Sequence, residues 1–130
     1  MWCNFICIIS MRTLKFAANL SQANIMKTFS EILSTLDSAE HVKSITLFNP
    51  DNSIAGMIEN KPGSQGSIKM YHYLYKKWGS INVEAAREGL SLYAEHTADA
   101  QNFPGKHPNI DRLLMVIAQN TPLSVEIASL

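Results

Sequence analysis

The chain has 130 residues, 46% of them hydrophobic and 17% charged, enough for one buried core and too few for two domains of ordinary size. Basic and acidic side chains balance at eleven each, but residues 1–25 carry Arg12 and Lys15 and no acid, which leaves residues 26–130 with nine basic against eleven acidic. A mildly acidic domain lacks the positive surface that displaces counterions from a phosphate backbone, so no nucleic-acid partner is expected.

Both cysteines, Cys3 and Cys7, lie near the N-terminus, so residues 26–130 cannot carry a disulfide framework and a cytoplasmic setting suits them. The apolar run Trp2–Ile9 is far shorter than the roughly 20 residues that span a bilayer. Its positive charges follow it, whereas those of a signal peptide precede the apolar region, so no membrane association is expected. An uncleaved anchor, or acylation at Cys3 and Cys7, is the less favoured alternative. Because Met26 begins the well-formed segment MKTFSEIL, residues 1–25 read as an N-terminal extension outside the fold, translated from an upstream start, and residues 26–130 as a single domain.

Thr28 and Glu31 form a capping-box pair, with Phe29, Ile32, Leu33 and Leu36 on one face, which predicts a helix over 28–36. His41–Phe48 and Ser53–Asn60 are strand-like runs joined by Asn49-Pro50-Asp51-Asn52, hence a hairpin. After a glycine-containing turn, a second helix starts near Ser67 with Ile68, Tyr71, Leu74, Tyr75 and Trp78 inward, Lys69, Tyr73 and Lys76 toward water, and Gly79 as its stop. Asn82 caps a third helix, 83–101, burying Val83, Ala86, Leu90, Tyr93, Ala94 and Thr97. Phe103-Pro104-Gly105 ends it, and Asn109 caps a fourth helix, 110–119, with Asp111 in the first turn. Leu123–Ala128 alternates in a strand-like way and can add a third strand to the hairpin. The expected fold is α+β, a small antiparallel sheet packed against three or four helices.

The segments ENKPGSQGS (59–67), EGLSLYAEHTADA (88–100) and PGKHPNIDRL (104–113) together resemble an uncharacterised bacterial family of small proteins, over Met26 to the C-terminus. The resemblance implies a bacterial cytoplasmic protein starting at Met26. It supplies no activity.

Two segments concentrate chemistry. Between Tyr93 and Leu113 stand two histidines, several acids, a lysine, two asparagines and an arginine around one Pro/Gly loop. On a continuous third helix Glu84, Glu88, Glu95 and Asp99 share a face, and the like-charge pair Glu95/Asp99 at i,i+4 costs roughly 0.2–0.5 kcal/mol unless Lys106, Arg112 or a metal ion compensates it. A salt-screened, solvated face needs no partner and is the simpler reading. His96 and Asp99, at i,i+3, have the spacing for a carboxylate-oriented imidazole, and His107 is a third candidate. HxxD with a distant histidine is a weak metal pattern, however, and a half-buried, hydrogen-bonded imidazole is the plainer account of each. His41 and His72 say less still.

The second segment, Lys61–Ser67, runs from a strand through a glycine turn into a helix N-terminus, an arrangement whose free amides suit a small anion. A capped connector is the plain alternative. Candidate ligand-binding residues are therefore Lys61, Ser64, Gln65, Gly66, Ser67, Lys106, Asn109 and Arg112. Tyr71, Tyr75 and Trp78 fall on the inward stripe and read as core, leaving Tyr73 alone free to stack. No nucleophile–base–orienter set is visible, so a ligand- or partner-binding role without catalysis comes first, with no cofactor identifiable and no metal site assigned. The alternative is a small metal-assisted or acid–base enzyme using Glu95, His96, Asp99 and His107. A third reading is a homo-oligomer whose interface is the functional surface.

Overall fold

The computed structural model describes residues 27–130, so the expectations placed on residues 1–25 and on Met26 as a start lie outside the described residues. Thr28 and Glu31 do form the capping box, each side chain taking the other's backbone amide, but the helix they open, α1 (Phe29–Leu33), is shorter than expected. The hairpin of β1 (Val42–Phe48) and β2 (Ile54–Glu59) is present, and β3 (Ser124–Ser129) pairs with the other side of β1, giving an antiparallel sheet in the order β2-β1-β3. Val42 and Ile45 are three residues apart and would face opposite sides of a regular strand. A register irregularity between Val42 and Ser44 against β3 resets the alternation, and both side chains are fully buried.

The second helix, α2 (Gln65–Trp78), packs on β1 and β2 and buries Ile68, Met70, Tyr71, His72 and Leu74. Tyr75 and Trp78 are only half-buried, because the helix is covered by the sheet on one flank and by the next helix on another, which turns Met70 and His72 inward instead. His72 lies edge-on to His41, ring centroids 5.2 Å apart. Tyr73, expected in water, donates its hydroxyl to Glu88 Oε2 at 2.6 Å. Trp78 Nε1 and Lys77 Nζ donate to the same carboxylate at 3.0 and 2.9 Å. Burial alone would raise the Glu88 pKa; the hydrogen bonds from Lys77, Tyr73 and Trp78 together hold it below its ordinary value.

The expected third helix over 83–101 is two helices, α3 (Val83–Leu92) and α4 (Glu95–Asn102), broken at Ala94 with φ 53° and ψ −120°. Such a backbone costs an alanine on the order of 1–3 kcal/mol. A distant and a local contact offset it: the buried Tyr93 ring stacks on Phe29 at 4.9 Å, and the Thr97 hydroxyl donates to the Leu90 carbonyl at 2.5 Å, satisfying the end of α3. The last helix, α5 (Pro108–Gln119), starts two residues earlier than the Asn109 cap would place it. Pro108 takes the first helical position, where its missing N–H loses nothing, and His107 stands at the cap. These five helices and the sheet pack as one α+β unit, and no helix among the described residues is long and apolar enough to cross a membrane.

Helices α2, α3 and α5 meet at Gly89, where an added Cβ would stand 2.7 Å from Leu113 Cδ1 and 3.0 Å from Leu74 Cδ1. Helix propensity favours alanine there by up to about 1 kcal/mol, whereas overpacking a tight contact costs about 1–3 kcal/mol. Gly89→Ala is therefore expected to lower stability in urea denaturation. A variant as stable as the parent would mean that the leucines yield freely and the three-helix contact is loose.

Candidate functional site

The turn Gly63–Ser67, helix α1, the start of α4 and the start of α5 enclose a cleft of about 490 Å³. Glycine at position 66 is what lets α1 close over the first turn of α2, since an added Cβ would meet Leu33 Cδ1 at 3.1 Å and the Phe29 ring at 3.2 Å. Among the described residues no acceptor meets the backbone amides of Gln65, Gly66 and Ser67, the unsatisfied donors of a helix N-terminus. The Ser67 hydroxyl shares a hydrogen bond of 2.8 Å with the Tyr93 hydroxyl, whose pKa is pushed far up by burial, so the pair stays protonated and neutral.

On the opposite wall, His96 sits between the Phe29 ring, edge-on at 5.2 Å, and the His107 ring at 5.7 Å. Asp99 Oδ2 binds His107 Nε2 at 2.7 Å and Lys106 Nζ at 2.9 Å. These hydrogen bonds, from His107 first and Lys106 second, hold the Asp99 carboxyl below its ordinary value. Asp99 thus pairs with His107 across the loop instead of with His96 along its own helix. Glu95 turns away, its Oε1 accepting the Phe29 amide at 2.8 Å, a contact that docks α1 and lowers the Glu95 pKa. The like-charge pair Glu95/Asp99 is compensated residue by residue, and Glu88, on the separate helix α3, belongs to the Tyr73–Trp78–Lys77 cluster.

Seven candidates line this one cleft, namely Gln65, Gly66, Ser67, His96, Lys106, His107 and Asn109, so the two segments that the sequence treats separately meet in space. The others do not join them. Lys61 is exposed and pairs with Glu59 at 3.2 Å. The Ser64 hydroxyl closes the turn onto the Glu59 and Lys61 carbonyls at 2.5 and 3.2 Å, and makes no cap hydrogen bond to α2. Arg112 borders a different cleft. The proposed donor set Glu95, His96, Asp99 and His107 does not assemble, and among the described residues no group of three or more His, Cys, Asp or Glu side chains could hold a metal ion. Phe29, Leu33 and Tyr93 form walls that sequence reasoning missed; the small residue at 66 is the one trace of that close approach.

Residues 29–127, from α1 into β3, match a family model described as an uncharacterized protein conserved in bacteria (DUF2322). No curated protein and no solved structure matches the chain.

Asp99 ties the loop before α5 to α4. With its pKa held below the ordinary 3.8, that tie is complete above about pH 4 and is lost as pH falls through the lowered value. Asp99→Asn should speed hydrogen exchange at the Lys106 amide at neutral pH while leaving that of Val116, deep in α5, unchanged. Equal rates at Lys106 in both proteins would show that the ion pairs do not order the loop.

Proposed function

The chain belongs to this bacterial family, and we propose that its domain binds a small phosphate-bearing anion in the histidine cleft without catalysis of its own. The observation that carries this reading is the convergence of the unsatisfied amides of Gln65, Gly66 and Ser67 with His96, His107 and Lys106 on one concavity. Helix N-termini attract anions through those amides and through a dipole equivalent to about half a positive charge. Asp99 offsets the charge of Lys106 and of a protonated His107, which favours a ligand held by directed hydrogen bonds over one held by bulk positive charge. The cleft volume falls within the roughly 300–1,000 Å³ of small-molecule sites. Residues 26–130 are the functional domain in this reading. A cytoplasmic location fits their lack of cysteine, and their acid surplus disfavours nucleic acid as the partner.

One observation favours a second reading, an acid–base enzyme. A carboxylate-oriented imidazole, Asp99–His107 at 2.7 Å, stands on the cleft wall beside His96, and such a pair can act as a general base without Glu95. A homo-oligomeric role draws instead on exposed apolar side chains of the sheet face and α5, Ile54, Met57 and Met115.

Titration of the full chain with inorganic phosphate should shift the Gly66 and Ser67 amide signals and the His96 and His107 ring signals saturably. His107→Gln should weaken binding roughly tenfold, the worth of one charge-assisted hydrogen bond, whereas Lys61→Ala should leave it unchanged. Linear shifts spread over many surface lysines would mean ionic screening and would overturn the assignment. Gly66→Pro is a poor probe, because its Cβ would crowd Phe29 and Leu33.

A further inference from the structure

We propose that a second cleft, between the β1–β2 hairpin end and α5, binds a small monocarboxylic acid with an apolar tail, the carboxylate on Arg112 and the tail against Ile54, Met115 and Leu123. This cleft, also about 490 Å³, lies on the other side of Pro108 from the histidine cleft. Arg112 is half-buried and firmly placed. Its Nη1 donates to Asn109 Oδ1 at 2.9 Å and to the Tyr71 hydroxyl at 3.3 Å, and its guanidinium occupies the space where any side chain at position 56 would put its first carbon. Gly56 is thus the residue that admits the cation onto β2.

Arg112 has no carboxylate within 4.0 Å among the described residues, and residues 1–26 contain no acidic side chain to provide one. Both hydrogen bonds use Nη1; Nε and Nη2, the guanidinium nitrogens that lie against Gly56, have no acceptor among the described residues. A guanidinium stays charged at every accessible pH, and its remaining donors form a planar fork that fits a carboxylate. Beside it stand two of the large apolar side chains that the protein leaves exposed, Ile54 at 65% and Met115 at 53%. A preorganised cation next to an uncovered apolar wall matches a ligand with one charged end and one greasy end.

Asp111 decides the ligand's charge. It borders the same cleft, its Oδ2 accepting the Gly105 amide at 2.9 Å, and a second negative charge nearby penalises a phosphate dianion more than a carboxylate monoanion.

The test is calorimetric titration of the full chain with octanoate, with spectra of the Met115 and Ile54 methyl groups, against octanamide, acetate and inorganic phosphate. Octanoate should bind saturably and shift both methyl signals, while octanamide and acetate bind far more weakly. Arg112→Lys, which keeps the charge but loses the fork, should weaken octanoate roughly tenfold or more. Met115→Glu, at an exposed position outside the core, should weaken it too without lowering the melting temperature, which guards against a misfolded Arg112 variant. The proposal is overturned if octanamide binds as well as octanoate, if phosphate displaces octanoate, or if octanoate shifts the His96 and His107 signals instead. It is equally overturned if the methyl signals move on protein dilution and ignore octanoate, because a second copy would then cover the cleft.

Discussion

The hydroxyl of Tyr71, shut off from solvent in the middle of α2, fixes where α5 begins, and both clefts are built around that beginning. It donates to the Asn109 carbonyl at 2.5 Å and accepts from Arg112 at 3.3 Å. Burial pushes its pKa up to about 12 against the opposing pull of Arg112, so it remains a neutral donor at neutral pH. A carbonyl in that position left without its donor costs about 1–3 kcal/mol, more than the net gain of an average hydrogen bond. Helix propensity alone would not place Pro108 and Asn109 against the core. The hydroxyl does, and with it the histidines on one side and the guanidinium on the other.

Elements stabilised by residues a few positions apart were legible in the sequence. The Thr28–Glu31 capping box, the hairpin turn, the Gly79 stop in its left-handed conformation and the Asn82 cap, whose Oδ1 accepts the Ala85 amide at 2.8 Å, all rest on near neighbours. The break at Ala94 was not legible. No glycine or proline marks it, and besides the local Thr97 hydroxyl its stabilisation draws on Phe29 and Ser67, far away in the chain. The same explanation covers Tyr73, whose partner Glu88 lies on another helix, and the irregularity that turns both Val42 and Ile45 inward, since neither leaves a mark on the period of its own segment.

For the candidate site, residue types and segments could be read, but not pairings. Polar density between Tyr93 and Leu113 and the glycine turn at Lys61–Ser67 picked out the two stretches that line the histidine cleft, because polar residues packed around loops are visible without a fold. Which side chains meet depends on tertiary approach. Local spacing offered Asp99 to His96, yet the loop through Gly105 returns His107 to Asp99 and leaves His96 to Phe29. Arg112 was grouped with Lys106 and Asn109 by proximity in sequence; it does bond Asn109, but α5 carries it to a different cleft from Lys106.

The acidic surplus of residues 26–130 looks like a negative surface that would repel the anions inferred for both clefts, but the acids nearest them are already engaged. Glu95 holds the Phe29 amide, Asp99 holds Lys106 and His107, and Asp111 holds the Gly105 amide at 2.9 Å, so two of the three tether the loop between α4 and α5 from its opposite ends. The Lys106 ammonium offsets the charge of Asp99, while Glu95 and Asp111 direct a carboxylate oxygen at a backbone amide and keep theirs. What stays uncommitted at the histidine cleft among the described residues is a set of donors, the amides of Gln65, Gly66 and Ser67 with the His96 ring, and at the second cleft the unused edge of Arg112. The surplus of acid at the level of sequence thereby becomes a surplus of donors at both concavities.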